Sequence, residues 1–457
     1  METQLDTLAL APDLSAARFE GVRELGPGPS PRESPGKRAP ESHGMSRILG
    51  PGFITGACND DPGSIGTLSQ VGAQFGYGLA WTLLFTYPLL FAVQEISARL
   101  GRVTGCGIAG NLQRHYPRWF AVSLVALLAV ANVINLGADL GAMGAVLRLL
   151  LDAPPLLYVC LLALVCVLFE VFTRYVRYVQ TLKWLCVTLL SYVVGAFAVE
   201  VPWHEVAHAL IWPALSAAPQ YVTAVVAALG TTISPYLLFW QAQQEVERGR
   251  HAAGALPLIS SVAQAPAEFA RIRIDTAVGM GLSSLVALFI VITTASTLHA
   301  QGVTTIETAA QAAEALRAVG GRFTFLLFAL GIVGAGLLAL PALSTSAAYA
   351  VGELLTWRVG RSHPRGSARA FYAVVAAAAA IGCALNFSPI NPMRALYWSA
   401  VLNGVVAIPL MIALMHLSTR TAVVGPLKLP LTVRALGWSA TAAMAVSVAA
   451  MVVSWML

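Results

Sequence analysis

Charge is what this chain has least of. Only 11% of its 457 residues are Asp, Glu, Lys or Arg, against about 25% in a soluble domain. Hydrophobic residues make up 57%. An ordinary soluble enzyme and a disordered chain are both excluded. Cysteine is scarce too. Cys58, Cys106, Cys160, Cys166, Cys186 and Cys383 form no CxxC and no paired spacing. That excludes a small disulfide scaffold, and the six read as small buried hydrophobes. No HExxH and no nucleophile elbow occurs, so nothing points to an enzyme or to a resident cofactor. The net charge of +6 is scattered between apolar runs rather than gathered on one segment, which excludes a nucleic-acid partner.

What remains is a polytopic membrane protein whose first partner is the lipid bilayer. Each helical span needs about 20 apolar residues. Apolar runs fall at approximately 48–73, 77–100, 119–147, 155–172, 178–199, 220–244, 274–298, 323–356, 368–386, 394–416 and 434–456, eleven spans in all. The eighth is long enough to carry an interfacial extension. Residues 1–45 are rich in Pro, Gly, Ser and Arg, cannot bury a core and read as a disordered tail. The tail lacks the short apolar core of a signal peptide, and either Met1 or Met45 can serve as the start. The transporter domain is expected over 46–457.

With the N-terminus in the cytoplasm, every Lys and Arg falls on the inside except Arg148, Arg317, Arg322 and Arg394. The positive-inside rule supports that orientation and the odd number of spans. One span more or fewer would invert every later loop and spoil the asymmetry.

Two spans are interrupted at their centres. The first reads GPGFITGACNDDPGSIGTLSQ, with Asn59, Asp60, Asp61, Pro62, Gly63 and Ser64 in the middle. The sixth reads AALGTTISPYLLFWQAQQEVE, with Thr231, Thr232, Ser234, Pro235 and Tyr236 in the middle. An unwound turn at membrane depth survives only where it lines a cavity in the protein. Broken helices at matching positions of two halves point to a transporter site. Here they open two inverted repeats of five spans, about 46–200 and 218–417, followed by one extra helix at 434–456.

Asp60 and Asp61 are the sharpest feature. A carboxylate at a span centre costs at least about 2.5–3.5 kcal/mol on insertion scales, and no Lys or Arg occupies any span centre to pair with it. A bound divalent cation supplies the missing charge. Asp61 is the first candidate ligand and Asp60 the second. Asp139, within NLGADLGAMG of span 3, is placed on the ion path, its small neighbours permitting close helix approach. Glu95, Glu170, Asp275 and Glu353 lie near span ends, where local structural partners are expected.

The segment GPGFITGACNDDPGSIGTLSQVGAQFGYGLAWTLL, 50–84, resembles the first span of the NRAMP divalent-metal transporters, as does ISARLGRVTG at 96–105. The resemblance runs on through span 3 and the proline break of span 6. It implies an all-α membrane protein with eleven transmembrane helices in the LeuT-type fold, moving divalent metal ions into the cytoplasm, in a bacterial inner membrane. The family's metal site takes an Asp and an Asn from its DPGN turn. Asp61 matches the Asp, and Ser64 stands at the Asn position. Two backbone carbonyls of that site map to Cys58 and Thr231. The family's Met-Pro-His of span 6 reads Ser234, Pro235, Tyr236. A glutamine of span 10 maps to Asn403, with Tyr397 the alternative register.

The departures have chemical consequences. A thioether is a soft ligand that favours late transition metals and cadmium. Ser234 is hard and small, so magnesium and manganese are expected to be favoured. Magnesium keeps several waters and takes few protein carboxylates. The proton route of the family uses the span 6 His and a span 3 Asp with a nearby Glu. Asp139 matches the Asp, while Ala142 and Tyr236 replace the others. Tyrosine, with a reference pKa of about 10, is a poor proton carrier at neutral pH. The chain is therefore most similar to the NRAMP-related magnesium-transporter branch, with transport expected without proton coupling. The alternatives are a proton-coupled manganese or iron transporter of the same family, and an organic-solute carrier on the same fold. Adjacent Asp60 and Asp61 would repel the carboxylate of an amino acid.

Overall fold

The computed structural model describes residues 50–456 apart from 174, 214, 252–255, 307–308, 358, 361–367 and 390–391; at 175–176, 309–320, 324 and 392–393 only the backbone is described. The expected tail, and the basic residues expected inside at 18–47, 174, 358, 361 and 365, lie outside these residues.

The described chain is helical throughout. A first broken helix consists of α1 (Pro51–Cys58) and α2 (Pro62–Phe75). It is followed by α3 (Ala80–Thr104), α4 (Ile108–His115), α5 (Arg118–Leu151), α6 (Pro155–Phe172), α7 (Tyr175–Leu185), α8 (Leu190–Phe197) and α9 (Trp203–Ile211). The second broken helix is α10 (Pro219–Thr232) with α11 (Pro235–His251). Then come α12 (Ala265–Thr297), α13 (Ala309–Leu354), α14 (Arg369–Leu385), α15 (Pro392–Thr419), α16 (Thr421–Val424) and α17 (Leu431–Met456). A single 3₁₀ turn, Cys186–Leu189, joins α7 to α8 into one continuous rod. Gly321, with φ 74°, kinks α13 just before the expected start of the eighth span at 323, so a separate helical segment leads into that span.

Eight of these segments are long and apolar enough to cross a membrane. The other three expected spans coincide with helices that differ for local reasons. The first is split at 59–61, α3 carries Pro88 inside it, and α14 has 17 residues. The short helices α4, α9 and α16 have no counterpart among the expected spans, because too few apolar residues mark them.

The outer surface is that of a protein in lipid. On α6, Leu157, Leu161, Leu164 and Leu168 are all exposed, spaced three and four apart along one stripe. Tyr158, Val159, Leu162, Ala163 and Cys166 on the same helix are buried. Water would penalise such an outward leucine stripe by about 1.5–3 kcal/mol per side chain, whereas hydrocarbon does not.

Long α5 forms the spine and packs against α13, α14, α15 and α6. The broken helices pair across the centre, α1 beside α11 and α2 beside α10. They therefore run antiparallel with their breaks facing each other. Helix α12 braces the first break, packing along α1 and α2. Close approach there depends on glycine. A Cβ on Gly56 would fall on the Gly279 backbone, and one on Gly279 would fall on the Gly52 carbonyl. Asp275 of α12 then caps α1, accepting from the amides of Gly50 at 2.7 Å and of Gly52 and Phe53 at 2.9 Å each. At the same end Arg271 pairs with Glu245 and Glu268, Arg102 with Glu268, and Glu95 with Arg99 and Arg273. Glu353 accepts from the amides of Gly107 and Gly110 at 2.7 and 2.9 Å. Glu95, Asp275 and Glu353 thus have the local structural partners expected of them. Cys160 and Cys383 depart from expectation. Neither is buried, Cys160 being exposed and Cys383, like Cys106, only half-buried, and the sulfurs of Cys160 and Cys383 lie 3.7 Å apart across α6 and α14.

Candidate metal site

Both breaks are built by the same local chemistry. α1 ends at Cys58, and the chain turns through Asn59, Asp60 and Asp61 before Pro62 restarts the helix. Proline suits a first helical position because its missing amide needs no partner there. Asp61 is the N-cap of α2. Its extended backbone, φ −68° and ψ 167°, lets Oδ1 accept from the Ser64 amide at 2.6 Å. In the second break α10 ends at Thr232, and Pro235 restarts the helix after Ile233 and Ser234.

The breaks meet through a tight set of oxygen atoms. The Tyr236 hydroxyl lies 2.8 Å from the Cys58 carbonyl and 3.0 Å from Asp61 Oδ2, so one O–H is shared between two acceptors. Ser64 Oγ donates to the Asn59 carbonyl at 2.6 Å and accepts from Thr231 Oγ1 at 2.7 Å. Ser234 Oγ donates to the Thr231 carbonyl at 2.8 Å. Asp139 of α5 joins from the side, its Oδ1 accepting from the Gly63 amide at 2.8 Å. Gly63 eases that approach, because a Cβ there would crowd both carboxylates, at 3.2 Å from Asp61 Oδ1 and 3.3 Å from Asp139 Oδ1.

Asp60, Asp61 and Asp139 are 1%, 5% and 1% exposed. None of them makes an ion pair among the described residues. Among the described residues no three His, Cys, Asp or Glu side chains converge as a resident metal centre. The donors at the breaks are instead carboxylate, hydroxyl and carbonyl oxygens, the hard set suited to ions that retain water.

Of the expected ligands, Asp61, Ser64, Thr231, Ser234 and the Cys58 carbonyl are joined in one hydrogen-bonded network. Asn403 is buried on α15, near the point where Gly230 of α10 packs on Ala400 and Gly404, but bonds to none of them. Tyr397 lies elsewhere. It lines a separate cavity of about 390 Å³ with Gln70, Gln74, Gln220, Thr223 and Arg394, at the end of α2 and α10 opposite the Asp275 cap. Asp60 also departs from the group: it turns away from Asp61 toward Ser283 of α12, whose Oγ donates to Asp60 Oδ1 at 3.0 Å. Sequence reasoning missed Ser283, which sits in an unremarkable GMGLSSL stretch of span 7 with no break to mark it. The double reach of Tyr236 was equally invisible, since it depends on where α11 starts relative to α1.

The sequence profile of the family described as Natural resistance-associated macrophage protein-like, Nramp, matches residues 52–454. The chain belongs to the Nramp family. Among the relatives of this Nramp protein, the divalent metal cation transporter MntH of Pectobacterium carotovorum is 26% identical over 317 residues, covering 66% of this chain and 73% of that one. The MntH of Klebsiella pneumoniae is 27% identical over 302 residues, covering 64% and 68%. A solved manganese transporter of Eremococcus coleocola, in complex with an aromatic bis-isothiourea compound, superposes with TM-score 0.71 at 18% identity, covering 92% of this chain and 90% of that one. The nucleobase-cation-symport transporter Mhp1 superposes with TM-score 0.53 at 16% identity, covering 89% and 92%. The shared architecture is the all-helical LeuT type that the resemblance implied.

Proposed function

We propose that this Nramp protein is a secondary transporter that carries divalent metal ions into the cytoplasm by alternating access. One observation carries the reading. Asp61 is a buried carboxylate at the meeting point of two antiparallel broken helices, surrounded by oxygen donors and without a cationic partner among the described residues. A divalent ion satisfies that charge; an anionic solute would add to it, and the carboxylate of an amino acid would be repelled by it. The printed functions of the MntH relatives and of the Eremococcus neighbour support the same substrate class. The ligands are Asp61, Ser64, Ser234, Asn403 and the carbonyls of Cys58 and Thr231, with Tyr236 and Asp139 beside the path. The membrane domain of 46–457 has eleven spans, with the N-terminus in the cytoplasm of a bacterial inner membrane.

Magnesium and manganese are the favoured ions, because a hydroxyl at Ser234 offers no soft-ion advantage. Metal moves downhill without stoichiometric protons, because Tyr236 and Ala142 stand where a relay would need a group titrating near ambient pH. One observation favours the proton-coupled alternative: Asp139 Oδ2 is buried with no hydrogen-bond partner, beside the first break. Influx of magnesium and of manganese into proteoliposomes, with a pH-sensitive dye inside, decides between them. Influx of either ion without acidification is the expected result. Acidification that tracks influx and is lost in Asp139→Asn overturns the uncoupled reading.

A further inference from the structure

The metal proposal uses Asp61 and leaves its neighbour unexplained. Asp60 faces α12. Its Oδ1 accepts from Ser283 Oγ, and that Oγ also accepts from Asn59 Nδ2 at 3.0 Å. Asp60 Oδ2 and Asn59 Oδ1 are buried without a hydrogen-bond partner among the described residues. A polar oxygen left unpaired in a dry interior costs about 1–3 kcal/mol, more when it carries charge. Two such atoms lie within one small cluster, where a bound ion or water would satisfy them.

Charge accounting says what. Asp60, Asp61 and Asp139 place three carboxylates in one buried region, and none has an ion-pair partner among the described residues. With all three ionised, a divalent ion at Asp61 leaves one negative charge over. We propose that Asp60, Asn59 and Ser283 form a second subsite that takes a hard monovalent cation, of the sodium class, alongside the divalent ion. The proposal rests on the reading of the first break as the divalent site.

The donors are all hard oxygens: the Asp60 carboxylate, the Ser283 hydroxyl and the Asn59 amide oxygen once the amide turns about its last torsion. One carboxylate is too little for a second divalent ion, which would leave the region positive. The two ions sit on opposite sides of one backbone turn, since Asp60 and Asp61 are adjacent and point apart. A monovalent ion bridging Asn59, Asp60 and α12 pins that turn, and the turn presents Asp61. Occupancy of either subsite therefore favours the other, reciprocally.

The test uses the purified full-length protein. Radioactive sodium retention is measured first, without any divalent ion. Manganese influx into proteoliposomes is then measured while sodium replaces choline at constant ionic strength and pH. The expected result is saturable sodium retention and manganese influx that rises with sodium. In Ser283→Ala, sodium retention weakens by roughly tenfold, the scale of losing one supporting group at an ion site, and influx no longer responds to sodium. Sodium-indifferent influx with no retention by the parent protein overturns the proposal, and needs no variant to fold. So does a sodium response unchanged in Ser283→Ala, or stimulation by acid alone, which would make a proton the charge on Asp60. Absence of manganese influx in every salt would instead remove the divalent reading, and sodium retention distinguishes the two failures.

Discussion

Replacing Tyr236 by Phe is expected to make the protein less stable without metal and to bind metal more tightly. The hydroxyl is within 2.8 Å of the Cys58 carbonyl and 3.0 Å of Asp61 Oδ2, and both are proposed metal ligands. In the metal-free protein it therefore occupies the acceptors that the ion needs. Tyr236 is 1% exposed, so its removal leaves those acceptors without water to replace it. A hydrogen bond to a charged acceptor is worth about 1.5–3 kcal/mol. If the ion takes over both oxygens, that energy is lost from the metal-free state alone and reappears as affinity. At about 1.4 kcal/mol per tenfold, Tyr236→Phe should tighten manganese binding by roughly tenfold or more. The ring stays, so packing against the core is kept. Calorimetric titration with manganese, with thermal melting of the metal-free protein, measures both sides. Weaker binding with unchanged metal-free stability would refute the reasoning and make the hydroxyl a ligand in its own right.

Ser234→Met places a thioether beside the Thr231 carbonyl and should shift competition in manganese-uptake assays toward cadmium; a parent protein that already prefers cadmium over magnesium by orders of magnitude contradicts the hardness argument. Asp275→Asn keeps one acceptor oxygen but sets an N–H against at least one of the Gly50, Gly52 and Phe53 amides, costing about 1–3 kcal/mol and loosening α1 from α12. Alkylation of Cys58, now fully buried at the far end of α1, should then accelerate relative to Cys166 and Cys186, and unchanged kinetics would show that the cap does not hold α1. Gly279→Val should cost about 1–3 kcal/mol or more through overpacking, read as a lower melting temperature than that of Gly281→Val, where a Cβ meets only the Tyr87 ring at 3.7 Å.

Much of the molecule was legible before folding because the bilayer imposes simple rules. The apolar runs gave most of the long helices to within a few residues, but α11 and α12 extend to His251 and from Ala265, past the expected bounds of 244 and 274, because their polar ends carry no apolar signal. Pro62 and Pro235 marked both breaks because small polar residues precede each of them; proline alone is not enough, since Pro88, Pro341 and Pro409 lie inside unbroken stretches of α3, α13 and α15. Asp61 stood out because a carboxylate at membrane depth needs a reason. The failures were of another kind. Helices α4, α9 and α16 are too short to leave an apolar signature, and the kink at Gly321 resembles any other glycine in an apolar run. Side-chain direction was also hidden. Sequence adjacency grouped Asp60 with Asp61, but an unwound turn sends neighbours to opposite sides, so Asp60 meets Ser283, more than 200 positions away. The Cys160–Cys383 approach and the Tyr397 cavity are likewise products of helix packing, with no local pattern to announce them.

The central claim is that the carboxylate of Asp61 holds a divalent ion in transit. Its most direct test is manganese and magnesium influx into liposomes containing either the parent protein or Asp61→Ala at matched protein density, with monodispersity and helical content confirmed for both. The account predicts influx of both ions by the parent and none above protein-free liposomes for the well-folded Asp61→Ala protein. Influx by Asp61→Ala at the parent rate would contradict it.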